Sequence, residues 1–91
     1  MPNRLMTLRL TRHVIERAAD HGIGIDQLYQ VPANRSALVR NREDRGASHL
    51  LIGRDHQGRC LVMPVDAADE PGTWRVISVW PCKTGEAAKR R

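Results

Sequence analysis

Histidine and arginine side chains are the residues of this chain best suited to chemistry. His13 and Arg17 are four residues apart, a spacing that places both on one face of a helix. Together they could hold one phosphate, with the imidazole accepting or donating a proton near neutral pH. The alternative is an ordinary polar helix face, on which His13 binds a nearby carboxylate or backbone group and Arg17 pairs with Glu16 or Asp20. The sequence leaves both interpretations open.

Two more arginines flank a predicted tight turn. Arg54 and Arg59 bracket Asp55-His56-Gln57-Gly58, so they are expected to face one another across a hairpin. Facing like charges are unfavourable unless an anion lies between them, which predicts a phosphate site. The alternative is a solvated hairpin end where Asp55 neutralises one arginine. His49 and His56 are lesser candidates, since a turn tip such as His56 is usually too exposed for proton transfer.

The last predicted strand carries the arginine that we rank first. Arg75 lies among apolar neighbours, where an arginine is more informative than one in a loop. Trp80 could stack on a nucleobase of any sequence. A tryptophan at a strand end more often closes an edge of the core, and we prefer that interpretation.

The composition favours an acidic partner without naming it. The 91 residues include 15 Lys and Arg against 10 Asp and Glu, giving a net charge of +5 and a pI of about 10.2. Most of the positive charge is arginine, whose planar guanidinium binds phosphate oxygens bidentately. A GC-rich genome would enrich arginine equally. No metal-ligand spacing and no catalytic triad pattern is present.

Cys60 and Cys82 show no C-x-x-C spacing, and the first ten residues lack the apolar stretch of a secretory leader. No run approaches the roughly 20 apolar residues that a membrane helix needs. We therefore expect reduced cysteines, a cytoplasmic location and no membrane association, although the two thiols could form one bridge.

The elements that must position these residues follow from local patterns. A short strand within residues 5–10 precedes a helix that Thr11 caps and Gly22 ends. Asp26 is predicted to cap a shorter helix, Gln27 to Gln30, which Pro32 prevents from continuing. The strands that follow are predicted at Ser36–Arg40, Ser48–Arg54, Arg59–Val65 and Trp74–Trp80.

This order predicts an α+β fold, β-α-α-β-β-β-β, with both helices on one face of an antiparallel sheet of about four strands. Pro64 suggests an edge position or a bulge. Strict alternation would place Trp74, Val76, Ser78 and Trp80 on one face of the last strand. The core is expected to be aliphatic, with Trp74, Trp80 and Tyr29 as its large members. Residues 1–81 form one predicted domain and residues 82–91 a basic tail.

Several short motifs occur in an order that resembles a known family. They are H-x-x-x-R (His13, Arg17), H-G-I-x-I-D (His21–Asp26), Pro32, I-G-R-D-x-x-G-R-x-L-V (Ile52–Val62) and W-R-V-I-S (Trp74–Ser78). In this order they resemble the BrnT-like branch of the RelE-type toxins, over about residues 10–81.

The resemblance implies a type II toxin, a small RNase that cuts RNA without a metal or cofactor and is neutralised by an antitoxin protein. It also allows a homodimer or a toxin–antitoxin hetero-oligomer. The implied catalytic residues are His13, Arg17, Arg54, Arg59 and Arg75. The candidate RNA-binding residues are Arg40, Trp80 and Lys83. A W-D-x-x-K segment usually precedes the helix in this family and is missing here, so a non-catalytic module binding RNA, ribosome or protein is the second hypothesis.

Overall fold

The computed structural model describes residues 6–42 and 46–82 as one strand, two helices and five further strands. Their bounds are β1 Thr7–Arg9, α1 Arg12–Asp20, α2 Ile25–Ala33, β2 Ser36–Arg40, β3 His49–Arg54, β4 Cys60–Ala67, β5 Thr73–Val76 and β6 Trp80–Pro81. The predicted α+β class is confirmed. Most of the predicted tail, Lys83 included, lies outside the described residues, as do residues 43–45.

Helix α1 forms as its local signals indicate. The Thr11 hydroxyl accepts a hydrogen bond from the Val14 N–H at 3.2 Å, the N-cap contact. Val14 and Ala18, one turn apart, are the buried residues of the helix. The chain leaves it through Gly22, whose φ of 69° favours glycine.

Helix α2 is longer than predicted at both ends. Gly24, not Asp26, is the N-cap, and the Gln27 side chain accepts a hydrogen bond from its N–H at 2.7 Å. Pro32 lies inside the last turn, so the expectation that it stops the helix at Gln30 is wrong. Proline forfeits one intrahelical hydrogen bond there, while burial of Leu28, Val31 and Pro32 stabilises the extra turn.

Within residues 6–42 and 46–82 the sheet has six strands and is mixed, whereas about four antiparallel strands were expected. The strand order is β1-β5-β4-β3-β2, and β6 pairs with β4. Strand β1 pairs with β5 in parallel. The helix pair carries the chain from β1 at one edge to β2 at the other, so β1 has β5 as its sheet neighbour and does not join the antiparallel meander.

A bulge in the last strand changes which side chains share a face. Val65 lies opposite Val76, but Val62 lies opposite Trp80, so the last strand has one extra residue between these pairs. The predicted alternation is therefore wrong beyond Val76. Val79 joins the main core, and Trp80 lies on the same sheet face as Arg75.

The bulge also explains how Pro64 is accommodated. Strand β4 is central in the sheet, so an edge position for Pro64 is wrong. The Pro64 carbonyl accepts a hydrogen bond from the Ile77 N–H. In an antiparallel pair the nitrogen and the carbonyl of one residue point to the same neighbouring strand, so the Pro64 nitrogen, which has no hydrogen to donate, faces the bulged segment. The predicted bulge is present in the neighbouring strand.

The main core is aliphatic, as predicted, and lies between the helices and one sheet face. Its buried members are Leu8, Val14, Ala18, Ile23, Leu28, Val31, Leu51, Leu61, Met63, Val65, Val76 and Val79. Trp74 packs against it, whereas Tyr29 is 49% exposed and Trp80 is half-buried outside the cluster. Tyr29 and Trp80 are thus not core residues, because one lies on the outer side of α2 and the other beyond the bulge.

The two cysteines are joined, so the expectation of reduced thiols is wrong. Residues 61 and 81 are paired across β4 and β6, which places Cys60 opposite Cys82 with a Cα–Cα distance of 5.2 Å. This separation is within the normal range for a disulfide. Within residues 6–42 and 46–82, neither helix is long and apolar enough to cross a membrane.

Gly53 allows α2 to approach the sheet closely. A Cβ atom there would lie 2.7 Å from the Ser36 Cβ and 3.0 Å from the Val31 Cγ1. We expect Gly53→Ala to lower the free energy of unfolding by about 2 kcal/mol, the range for overpacking. Urea denaturation measures this, with Gly24→Ala as a control costing under about 1 kcal/mol, since its Cβ would meet Gln27 at an ordinary 3.5 Å. Equal losses for the two variants would contradict the packing argument.

Candidate functional site

A row of amide side chains on α2 holds the β3–β4 turn. Gln27, Gln30 and the C-cap Asn34 are spaced so that all three face the same way. The Gln30 Oε1 accepts a hydrogen bond from the His56 N–H at 2.9 Å, and the Asn34 Nδ2 donates to the Arg54 carbonyl at 3.0 Å. The turn is therefore fixed to the helix at successive residues and is not a free hairpin tip. We call Gln27, Gln30 and Asn34 the amide row.

Asp55 anchors the same turn from the inside. Its side chain is 3% exposed and accepts hydrogen bonds from the Gln27 Nε2 at 2.7 Å and from the N–H groups of Gln57 and Arg59, both at 2.9 Å. Burial alone would raise the pKa of Asp55. The hydrogen bonds from Gln27, Arg59 and Gln57, together with the positive charge of Arg59, outweigh that effect and hold the pKa below its ordinary value.

Arg59 ties the turn to the end of α1. Its guanidinium donates to the His21 carbonyl at 2.8 Å and to the Gly22 carbonyl at 3.3 Å. These carbonyls follow the helix, where the negative end of the helix dipole favours a cation. The Arg59 side chain thus has a structural role that accounts for much of its hydrogen-bonding capacity.

The amide row also sets the tautomer of His56. The Arg54 carbonyl can only accept, so the Asn34 amide must direct its nitrogen toward the turn. The same nitrogen lies 3.0 Å from the His56 Nδ1, which must then be the acceptor. Neutral His56 therefore carries its proton on Nε2, and no hydrogen bond to Nε2 occurs within residues 6–42 and 46–82.

Two shallow depressions lie on either side of His56. One, of about 450 Å³, is lined by Arg35, Arg54 and His56 together with Asn34, Asp55 and Gly58. We call it the basic depression. The Arg54 Nη1 donates to the Gly58 carbonyl at 2.6 Å, which holds the guanidinium at the rim. Arg35 is exposed, so both arginines have N–H groups available to a ligand.

The other depression, of about 480 Å³, is lined by the first turn of α2 and the tip of the β3–β4 turn. Ile25, Asp26 and Gln30 are among its lining residues, with His56 and Gln57 from the turn. We call it the amide depression. Its walls are mainly neutral, so it differs from the basic depression in the ligand groups that it can bind.

The predicted catalytic residues lie in three places. Arg54 and Arg59 flank the turn, but the expectation that they face one another is wrong, because Arg54 lies opposite Cys60 and the two guanidiniums bind different carbonyls. His13 and Arg17 are exposed on α1. The Arg75 Nη2 lies 3.9 Å from the Asp66 Oδ2, a loose ion pair between an exposed arginine and a partly buried carboxylate.

Distance along β4 separates Arg75 from the turn. Arg54 pairs with Cys60 and Arg75 with Asp66, positions six residues apart on β4. At about 3.3 Å per residue this separation is about 20 Å. Arg54, Arg59 and Arg75 therefore do not surround one point.

The predicted RNA-binding residues are also dispersed. Arg40 lies opposite His49, at the far end of the β2–β3 pair from Arg54. Trp80 lies on the sheet face away from the helices. Lys83 lies outside the described residues. Within the described ranges no three His, Cys, Asp or Glu side chains are placed to hold a metal ion.

The structure adds Arg35 and the amide row to the candidate residues and gives more weight to His56. The spacing of Gln27, Gln30 and Asn34 is visible in the sequence as one polar helix stripe. Nothing in the sequence indicates that this stripe faces a turn 20 to 28 residues away. His56 ranks low in the sequence because turn tips are usually exposed; it is exposed here too, but its backbone N–H and its ring both have hydrogen-bond partners.

Comparison with known proteins adds one partial likeness. No family model matches the chain, and no solved structure matches it. The non-structural polyprotein pORF1 of avian hepatitis E virus (isolate Chicken/California/Meng) is 34% identical over 74 residues. The match covers 76% of this chain and 5% of the polyprotein. The chain thus resembles one short stretch of a much longer viral protein.

Proposed function

We propose that this α+β domain is a RelE/BrnT-like toxin that binds and cleaves RNA without a metal. The observation that carries the proposal is the basic depression, where Arg35, Arg54 and His56 line one concave surface. Arginine binds phosphate oxygens through several fixed N–H groups, and the His56 Nε2–H adds one more donor. The net charge of +5 favours an anionic polymer over a neutral ligand.

The chemistry that we propose is transfer of the phosphate within the RNA strand. The ribose 2′-oxygen forms a bond to phosphorus, the bond from phosphorus to the leaving 5′-oxygen breaks, and the 2′-hydroxyl proton ends on that 5′-oxygen. The products are a 2′,3′-cyclic phosphate and a 5′-hydroxyl. Arg35, Arg54 and the His56 Nε2–H would stabilise the extra negative charge on the phosphorane oxygens. We propose an antitoxin protein as the natural inhibitor and the cytoplasm as the place of action.

The dispersion of the arginines favours a second candidate function. Arg59 binds backbone carbonyls, and Arg75 lies about 20 Å away beside Asp66. A domain that binds RNA without cutting it needs only a basic depression and the salt-sensitive attraction of scattered cations. We therefore retain a non-catalytic RNA-binding module as the alternative.

Paired arginine variants test RNA binding at the basic depression. Arg54→Ala should weaken binding of a single-stranded RNA about tenfold, since it removes a charge-assisted contact to phosphate. Arg75→Ala removes the same charge on another part of the sheet and should change affinity less than threefold. Fluorescence anisotropy at fixed salt measures both, and equal losses would mean that charge alone binds RNA.

Cleavage is tested on the same RNA labelled at its 5′ end, with a metal chelator present. The toxin proposal expects fragments that end in a 2′,3′-cyclic phosphate from the wild-type protein and at least tenfold fewer from Arg54→Ala. Binding without cleavage would reject the nuclease and support the non-catalytic module. A protein that binds no RNA at 50 mM salt would overturn both candidates.

A further inference from the structure

We propose that the amide depression binds a guanine base whose neighbouring phosphate lies in the basic depression. The inference rests on the proposed RNA binding and specifies which nucleotide the domain prefers. His56 lines both depressions, so they are adjacent compartments separated by one side chain. A nucleotide has the same two-part character, because a flat base and a charged phosphate are joined by a short sugar.

The Gln30 amide is oriented by the turn. Its Oε1 accepts a hydrogen bond from the His56 N–H, a group that can only donate. The Gln30 Nε2 must then point away from the His56 N–H, and its two N–H groups can act as hydrogen-bond donors. Because Gln30 lines the amide depression, these donors can meet an acceptor on a bound base.

Asp26 supplies the complementary acceptors. It lies in the first turn of α2, is exposed and lines the same depression. No hydrogen bond or ion pair engages its carboxylate among residues 6–42 and 46–82. Two carboxylate oxygens are therefore free to accept from two adjacent N–H groups. Ile25, which is 42% exposed, provides an apolar surface for a base plane.

This arrangement of donors and acceptors matches guanine. The Watson–Crick edge of guanine presents N1–H and N2–H donors beside the O6 acceptor. The Asp26 carboxylate can accept from both donors, and the Gln30 Nε2–H can donate to O6. Adenine and cytosine offer only one donor group on this edge, so they would leave a carboxylate oxygen unpaired. Single-stranded RNA exposes such base edges to proteins.

The experiment compares four ribonucleotide pentamers, UUGUU, UUAUU, UUCUU and UUIUU, where I is inosine and lacks the N2 amino group. Wild-type protein should bind UUGUU at least tenfold more tightly than UUAUU or UUCUU, with UUIUU between them. Asp26→Asn should reduce the preference for guanine to threefold or less, since an amide offers one acceptor fewer. Glu16→Gln is the matched control, an exposed carboxylate on α1 whose loss should preserve the preference.

Each outcome separates the base site from RNA binding itself. Equal affinity for all four pentamers, with weaker binding by Arg54→Ala, would overturn the guanine site and leave the proposed RNA binding intact. A guanine preference that persists in Asp26→Asn would also overturn this site. Failure to bind any pentamer or a longer RNA would overturn the proposed function, and the guanine site with it. Circular dichroism of Asp26→Asn checks that the helices are retained.

Discussion

Replacing Asp55 with alanine is expected to lower the free energy of unfolding by about 3 kcal/mol, because a buried hydrogen-bond network loses its centre. Three donors would lose their acceptor at once: the Gln27 Nε2 and the N–H groups of Gln57 and Arg59. Two of these donors belong to the turn and one belongs to the amide row. We therefore expect the turn to loosen together with its contact to α2. Urea denaturation followed by far-UV circular dichroism measures the loss.

The same carboxylate should make stability depend on acid. Its pKa is lower in the folded protein than in the unfolded chain, so the folded state favours the ionised form. The resulting stabilisation is fully present above the unfolded value of about 4 and is lost as pH falls through the lower folded value. Asp55→Asn cannot ionise, so its stability should fall less between pH 5 and pH 2 than that of the wild type.

Asp26→Asn serves as the control for the acid experiment. It removes another carboxylate from the same region, but one that is exposed and has no hydrogen-bond partner among residues 6–42 and 46–82. Its acid dependence should match that of the wild type. If Asp55→Ala cost less than about 1 kcal/mol, or if Asp55→Asn kept the wild-type acid dependence, the anchoring role of Asp55 would be wrong.

Features that depend on neighbouring residues could be predicted from the sequence. Three of these features follow from residue types within a few positions of one another: the Thr11 cap, the end of α1 at Gly22 and strand β2 at Ser36–Arg40. The hairpin at Gly58, with φ of 87°, belongs to the same class. Each is indicated by residue types that are close in sequence, although β2 also needs its pairing with β3.

Features that depend on the register between distant segments could not be predicted. The bulge opposite Pro64 shifts pairing by one residue, which moves Trp80 to the face of Arg75 and Val79 to the core. That shift also determines that Cys60 faces Cys82. The contact between the amide row and the turn likewise joins segments that are distant in sequence. Neither composition nor hydrophobic periodicity indicates that these segments meet. Of the charged and titratable side chains that we place at the basic depression, the sequence therefore predicts Arg54 and, with a lower rank, His56, but not Arg35.

The second large effect is expected from breaking the Cys60–Cys82 disulfide. The bridge closes a loop with a sequence separation of 22 residues, for which chain entropy predicts a stabilisation of about 3 kcal/mol. We expect Cys60→Ala/Cys82→Ala, or the wild type in excess dithiothreitol, to unfold at a correspondingly lower urea concentration. The double variant in dithiothreitol is the control, since the reductant should then have no further effect.

Reduction of the disulfide should loosen strand β6 before the whole domain unfolds. Strand β6 has two residues, so the disulfide and the hydrogen bond from the Cys82 N–H to the Cys60 carbonyl hold much of the chain end against β4. Trp74→Phe leaves Trp80 as the one tryptophan, and its emission reports on β6 alone. Reduction of the disulfide should shift the Trp80 emission to longer wavelength at urea concentrations too low to unfold the domain. Unchanged emission and a stability loss under about 1 kcal/mol would mean that β6 is held by its packing and not by the disulfide.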